Sequence, residues 1–130
     1  MTRDYQPYKN NKYLLPQPLY RMTLAFIRDH NRRVAEYNGI IDESQPPPDG
    51  QPKGTVKGNP TERDGIRRAE LKEAIDAVDS ALEMIPDEYR RGVWANITEH
   101  KRYPDDAHPR TYRTYKQRFI YYVAHNMFWI

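Results

Sequence analysis

The chain has 130 residues, 38% of them hydrophobic and 30% charged, with a formal net charge of +3 and no cysteine. That size allows one domain, or a small domain with an appendage. Disulfides and thiolate metal sites are excluded, and no apolar run approaches the roughly 20 residues of a membrane-spanning helix. The opening "MTRDYQPYKNNKY" lacks an apolar secretory core, so a soluble, cytoplasmic protein is expected. Charge is distributed unevenly. Residues 1–41 carry seven bases and three acids, residues 61–86 four bases and seven acids, and residues 107–130 four bases and no acid. Basic ends around an acidic middle point to partners of negative charge.

Residues 1–17 read as a basic N-terminal arm. From Pro18 the apolar positions Leu19, Met22, Phe26, Ile27, Val34, Tyr37 and Ile41 recur every three or four residues. This predicts one amphipathic N-terminal helix over 18–41, opened by "LLPQP", because proline is tolerated only in the first turn. Residues 42–60, "DESQPPPDGQPKGTVKGNP", hold five prolines and almost no large apolar side chain, so a linker is expected. Asn59, Pro60 and Glu62 then supply a cap, a first helical residue and a capping-box glutamate. The helix they open places Ile66, Leu71, Ala74, Ile75, Val78, Leu82 and Ile85 on one stripe. Pro86 stops it and opens "DEYRRGVWANITEHK", with Asp87 and Glu88 where the helix dipole favours negative charge. After "RYPDDAHP", Pro109 begins the last helix, to about residue 127. The predicted fold is all-α, a small helical domain of about four helices. Residues 61–130 form its C-terminal domain.

The last helix, within "HPRTYRTYKQRFIYYVAHN", threads five aromatic residues between four bases. A helical projection puts Tyr112, Tyr115, Phe119, Tyr122, Val123 and Asn126 on one side, and Arg110, Arg113, Thr114, Gln117 and Tyr121 on the other. The aromatic side reads as core. The opposite stripe carries side chains able to bond base edges in a major groove, and the flanking Lys116 and Arg118 suit phosphates. A solvated basic face without any partner gives the same pattern, so both readings stand at this point.

Sequence order adds a resemblance. "ALEMIPDEYRRGVWANI" followed by "YPDDAHPRTYRTYKQRFIYYVA" resembles the C-terminal part of RinA-type phage transcriptional activators, small regulators of prophages in low-GC Gram-positive hosts. "YLLPQPLYRMTLAFIRDHNRRVAEYNGII" and "PPPDGQPKGT" match the same family's pattern, so the similarity spans nearly the whole chain. It implies an activator of phage late genes whose C-terminal region is similar to region four of bacterial sigma factors, with a helix-turn-helix-like unit. "IPDEYRRGVW" would precede that unit and Pro109 to Ala124 would match its recognition helix. Arg110, Arg113, Thr114 and Gln117 would then read bases, and Arg90, Arg91, Lys101, Arg102, Lys116 and Arg118 would meet phosphates. Arg3, Lys9, Lys12, Arg28, Arg32 and Arg33 would add DNA contacts or touch host RNA polymerase. One departure is visible: between Thr98 and His108 there is room for about one helical turn, where a standard helix-turn-helix has a first helix.

Other chemistry finds little footing. His30, His100, His108 and His125 lack metal-ligand spacing, and Asp105, Asp106 or His108 serves better as a cap for the last helix. The carboxylates of the central helix have no histidine, nucleophile or glycine-rich phosphate loop to work with, so no enzyme and no cofactor are expected. The final "MFWI" must pack back on an earlier helix or lie in a subunit interface, and a homo-oligomer suits a DNA binder on a palindromic site. The alternative class is a structural or assembly protein: a small DNA-packaging subunit or a protein-only helical adaptor.

Overall fold

The computed structural model describes Gln6, residues 11–44 and residues 60–130. Most of the basic arm (Arg3 and Lys9 included), residues 45–59 of the expected 42–60 linker and the expected Asn59 cap lie outside the described residues, whereas residues 42–44 belong to a helix that ends at Ser44 and Pro60 opens the next. The fold is all-α, with five helices among the described residues: α1 (Gln17–Arg28), α2 (His30–Ser44), α3 (Pro60–Glu83), α4 (Asp87–Glu99) and α5 (Pro109–Asn126).

The single N-terminal helix expected from periodicity is two helices, interrupted at Asp29. The break is stabilised locally. The Asp29 amide still reaches back to Ala25 and Phe26, and Arg33 Nη1 donates to the Phe26 carbonyl at 2.6 Å. The interruption lets α1 and α2 serve different neighbours: α1 faces α4 and α5, whereas α2 pairs mainly with α3.

At the other end of α3, Arg90 reaches back across Pro86. Its guanidinium donates to the carbonyls of Ile85 and Glu83, at 3.0 Å each, and pairs with Asp87. The carbonyls left over where a helix stops are thereby satisfied. α4 ends at His100, in the left-handed conformation with φ 57°. Residues 100–108 contain only a turn, so no helix intervenes between α4 and α5. The expected helix-turn-helix-like unit thus lacks a helix between its two outer elements, which are joined by a loop. His108 caps α5, its Nδ1 accepting from the Arg110 amide at 3.0 Å, with Pro109 in the first turn.

α5 lies at the centre of the molecule, against α1, α3 and α4. Tyr20, Leu24 and Ile27 of α1 share one buried cluster with Val78 and Ala81 of α3, Val93 and Ile97 of α4, and Phe119, Ile120, Val123 and Ala124 of α5. The N-terminal helix is thus a wall of the same core as residues 61–130. Alanines 74, 77 and 81 leave room for a close neighbour along α3, and Asn126 Nδ2 reaches the Ala77 carbonyl at 3.0 Å. Ile66, expected on that apolar stripe, is exposed. Before α1, Gln6 grips Leu15 through both its amide and its carbonyl, at 2.9 and 2.8 Å.

His30 opens α2 deep in the fold. Its ring meets Trp94 edge-on, its Nε2 lies 3.3 Å from Asp79 Oδ1, and its Nδ1 is buried without a hydrogen-bond partner among the described residues. Burial lowers the imidazole below its ordinary pKa, with the Asp79 carboxylate opposing that effect. A histidine kept neutral inside must be charged in the unfolded chain below about pH 6.5. Stability is therefore expected to fall as pH drops from 7 to 5, a range in which most carboxylates keep their charge. His30→Gln should flatten that limb of a urea-denaturation series. An unchanged pH profile in the variant would show that His30 is not its source.

Candidate nucleic-acid interface

The ten residues singled out from sequence fall into distinct environments. Arg110 and Arg113 are exposed on the first turns of α5 and make no ion pair or side-chain hydrogen bond among the described residues. Thr114 is half-buried, its hydroxyl donating to the Arg110 carbonyl at 3.0 Å. Arg91 on α4 and Arg102 in the following loop are likewise exposed without an ion-pair partner among the described residues. Lys101 pairs with Glu99 at 3.1 Å.

Gln117 and Lys116 require correction. Both are 5% exposed, so neither reaches a base or a phosphate on the outside. Lys116 Nζ donates to Asn96 Oδ1 at 2.8 Å, and Asn96 Nδ2 donates to the Lys101 carbonyl at 2.8 Å, tying α5 to α4 and its loop. Gln117 Nε2 is buried without a hydrogen-bond partner among the described residues. Arg90 is also withdrawn from a phosphate role, because its donors are engaged in closing α3.

These corrections share one cause. The buried residues of α5 are Tyr112, Lys116, Gln117, Phe119, Ile120, Val123 and Ala124. At about 100° per residue they fill roughly 160° of the helix circumference. Relative to the projection that placed Tyr115 and Tyr122 inward, α5 is rotated so that Ile120 and Ala124 face the core. Aliphatic groups gain most from complete burial, whereas a tyrosine can rest at the edge with its hydroxyl in water. Tyr115 and Tyr122, expected inside, and Tyr121, expected outside, are all half-buried at such edge positions.

The outward face of α5 therefore runs through Arg110, Thr114, Arg118, Tyr121 and His125, with Thr111, Tyr115 and Tyr122 along one margin. From Ala107 onward it includes no acidic residue. Near its start, Tyr103 stacks on Tyr112 with centroids 5.2 Å apart, and the Tyr112 hydroxyl donates to Asp106. Burial pushes the Tyr103 hydroxyl up to about 12, against the lowering influence of the Arg113 charge. Further along, Arg118 is held between two rings, its Cζ 5.0 Å from the Tyr13 centroid and 5.5 Å from that of Tyr115. Tyr13 belongs to the segment before α1. Sequence reasoning missed its place here, since no local pattern links it to a helix a hundred residues later. Arg118 on this face could have been found from the spacing of 111, 114, 118, 121 and 125.

The remaining apolar candidates divide. Trp129 packs edge-on against Phe26, with centroids 5.0 Å apart, so part of "MFWI" folds back. Phe128, with φ 61°, and Ile130 project outward at 88% and 50% exposure. Among the described residues no cluster of histidine and carboxylate side chains could hold a metal ion, and no helix is long and apolar enough to cross a membrane. Comparison with protein-family models, curated proteins and solved structures yields no match for this chain.

Proposed function

We propose that this chain is a regulator of phage late transcription that binds duplex DNA with the outward face and first turns of α5. The observation that carries the reading is the state of the bases there. On α2, α3 and α4, Arg32, Arg67, Lys72 and Arg90 are neutralised by nearby carboxylates, although Arg63 and Arg68 of α3 have no such partner among the described residues. Arg91, Arg102, Arg110, Arg113 and Arg118 have no such partner among the described residues. Surface arginines left unpaired around an acid-free helix face suit a polyanion. A helix about 12 Å across, side chains included, fits a major groove of similar width.

On this reading Arg110 and Arg113 enter the groove first, Thr114 offers a short hydroxyl beside them, and Arg91, Arg102 and Arg118 flank them at phosphates. Contact with RNA polymerase and self-association belong to the same reading. The test is a footprint on the phage's own late-promoter region, followed by run-off transcription. Arg110→Ala or Arg113→Ala should weaken operator binding about tenfold and relax its specificity, whereas Arg102→Ala should reduce the salt slope by about one. Lys116→Met should leave the slope unchanged.

Exposed Phe128 and Ile130 favour a second reading, a protein-only adaptor that docks through apolar side chains. Absence of binding to phage DNA at low salt decides for the adaptor. Binding without promoter activation decides for a packaging subunit.

A further inference from the structure

The segment before α1 brings new chemistry to the face of α5. Tyr13 lies edge-on to Tyr121 and Tyr122, with centroids 5.4 and 5.9 Å away. Two cations flank the same ring: Lys12 Nζ at 5.3 Å and Arg118 Cζ at 5.0 Å from its centroid. Neither cation is paired with a carboxylate among the described residues, and Arg118 Nε is buried without a hydrogen-bond acceptor. Guanidinium and ammonium groups held by rings keep N–H donors other than the buried Nε for a ligand, and stacking fixes the plane of the guanidinium.

We infer that Lys12, Tyr13, Arg118 and Tyr122 form a phosphate-binding site. Resting on the DNA-binding reading, the phosphate is one of the duplex backbone, alongside the groove entered by Arg110. Two positive charges and two phenol hydroxyls converge here, with no acid on α5 to oppose them. The hydroxyls are already coupled to that field. Tyr13 is held below the ordinary phenol range by a hydrogen bond from Tyr122 and by the charges of Lys12 and Arg118. Arg118 follows Arg110 by eight residues, about 12 Å along the helix, so a duplex seated on Arg110 passes beside it. The site joins an N-terminal element to the C-terminal helix, and phosphate binding should therefore hold Lys12 and Tyr13 against α5.

The full chain is titrated with inorganic phosphate at constant ionic strength, against a chloride control, while the ring resonances of Tyr13 are followed by NMR. In parallel, affinity for late-promoter duplex is measured at several salt concentrations for the wild type, Lys12→Gln and Tyr13→Phe. Both variants change exposed or half-exposed groups, and circular dichroism checks their fold. The expected result is a saturable, phosphate-specific shift of Tyr13 that Lys12→Gln abolishes, with the salt slope on DNA lowered by about 0.9 in that variant. DNA binding with an unchanged slope and no phosphate response overturns the site and leaves the DNA-binding reading in place. A phosphate response with an unchanged slope assigns the site to free phosphate and overturns the backbone assignment. A phosphate response with no DNA binding by the wild type overturns the DNA-binding reading while the phosphate site survives. Neither phosphate response nor DNA binding overturns both.

Discussion

Gly92→Ala is expected to lower the unfolding free energy by about 2–3 kcal/mol, as measured by urea denaturation. Alanine is the better helix former by about 1 kcal/mol, so propensity alone predicts the opposite sign. Space decides against it. A Cβ on Gly92 would lie 2.6 Å from Tyr112 Cε1 and 2.8 Å from Pro104 Cδ. The Tyr112 ring has little freedom to retreat: it stacks on Tyr103, meets Tyr89 edge-on at 5.3 Å, and donates its hydroxyl to Asp106. Pro104 is restrained by its own ring. The close approach of α4 to the start of α5 thus depends on the missing side chain. Gly65 on α3 is the control, because nothing lies within 4 Å of a Cβ placed there. Gly65→Ala should be stabilising by up to about 1 kcal/mol. A neutral or stabilising Gly92→Ala would mean that the two helices separate more readily than this arrangement implies. Because Arg102, Arg110 and Arg113 flank the same junction, Gly92→Ala should also weaken DNA binding beyond its effect on stability.

Asn96→Leu should cost about 2–4 kcal/mol in the same assay. Its side chain is nearly isosteric, so little volume is lost. What is lost is one acceptor of the Lys116 ammonium and the Lys101 carbonyl's donor, both supplied by one amide. Removing one partner of a buried charged group leaves the other desolvated, a heavier penalty than the bond itself is worth. Lys116→Met should cost less, because it retains the buried stem and deletes the charge. In the double variant Asn96→Leu/Lys116→Met the losses should fall short of additivity by about 1–2 kcal/mol. Strict additivity would show that the two side chains do not depend on each other.

Much of the helical framework could be read from sequence because its determinants are local. Pro60 with Glu62, Pro86 with Asp87 and Glu88, and His108 with Pro109 mark three starts, each within one turn of the residue concerned. The break at Asp29 escaped that reading, since apolar residues recur at helical spacing on both sides of it. Only the different neighbours of α1 and α2 make an interruption favourable.

The face of α5 was less legible. Composition and order alone determined that the last helix would be rich in aromatics and bases, free of acids, and capped near His108. The tertiary structure decided which way that helix turns. Three neighbouring helices admit one wide arc, complete burial goes to Ile120, Val123 and Ala124, and Lys116 and Gln117 are drawn inside with them. It also brought Lys12 and Tyr13 onto Arg118. Side chains so distant in the chain share no local periodicity, and only the folding of one segment across another sets their distance.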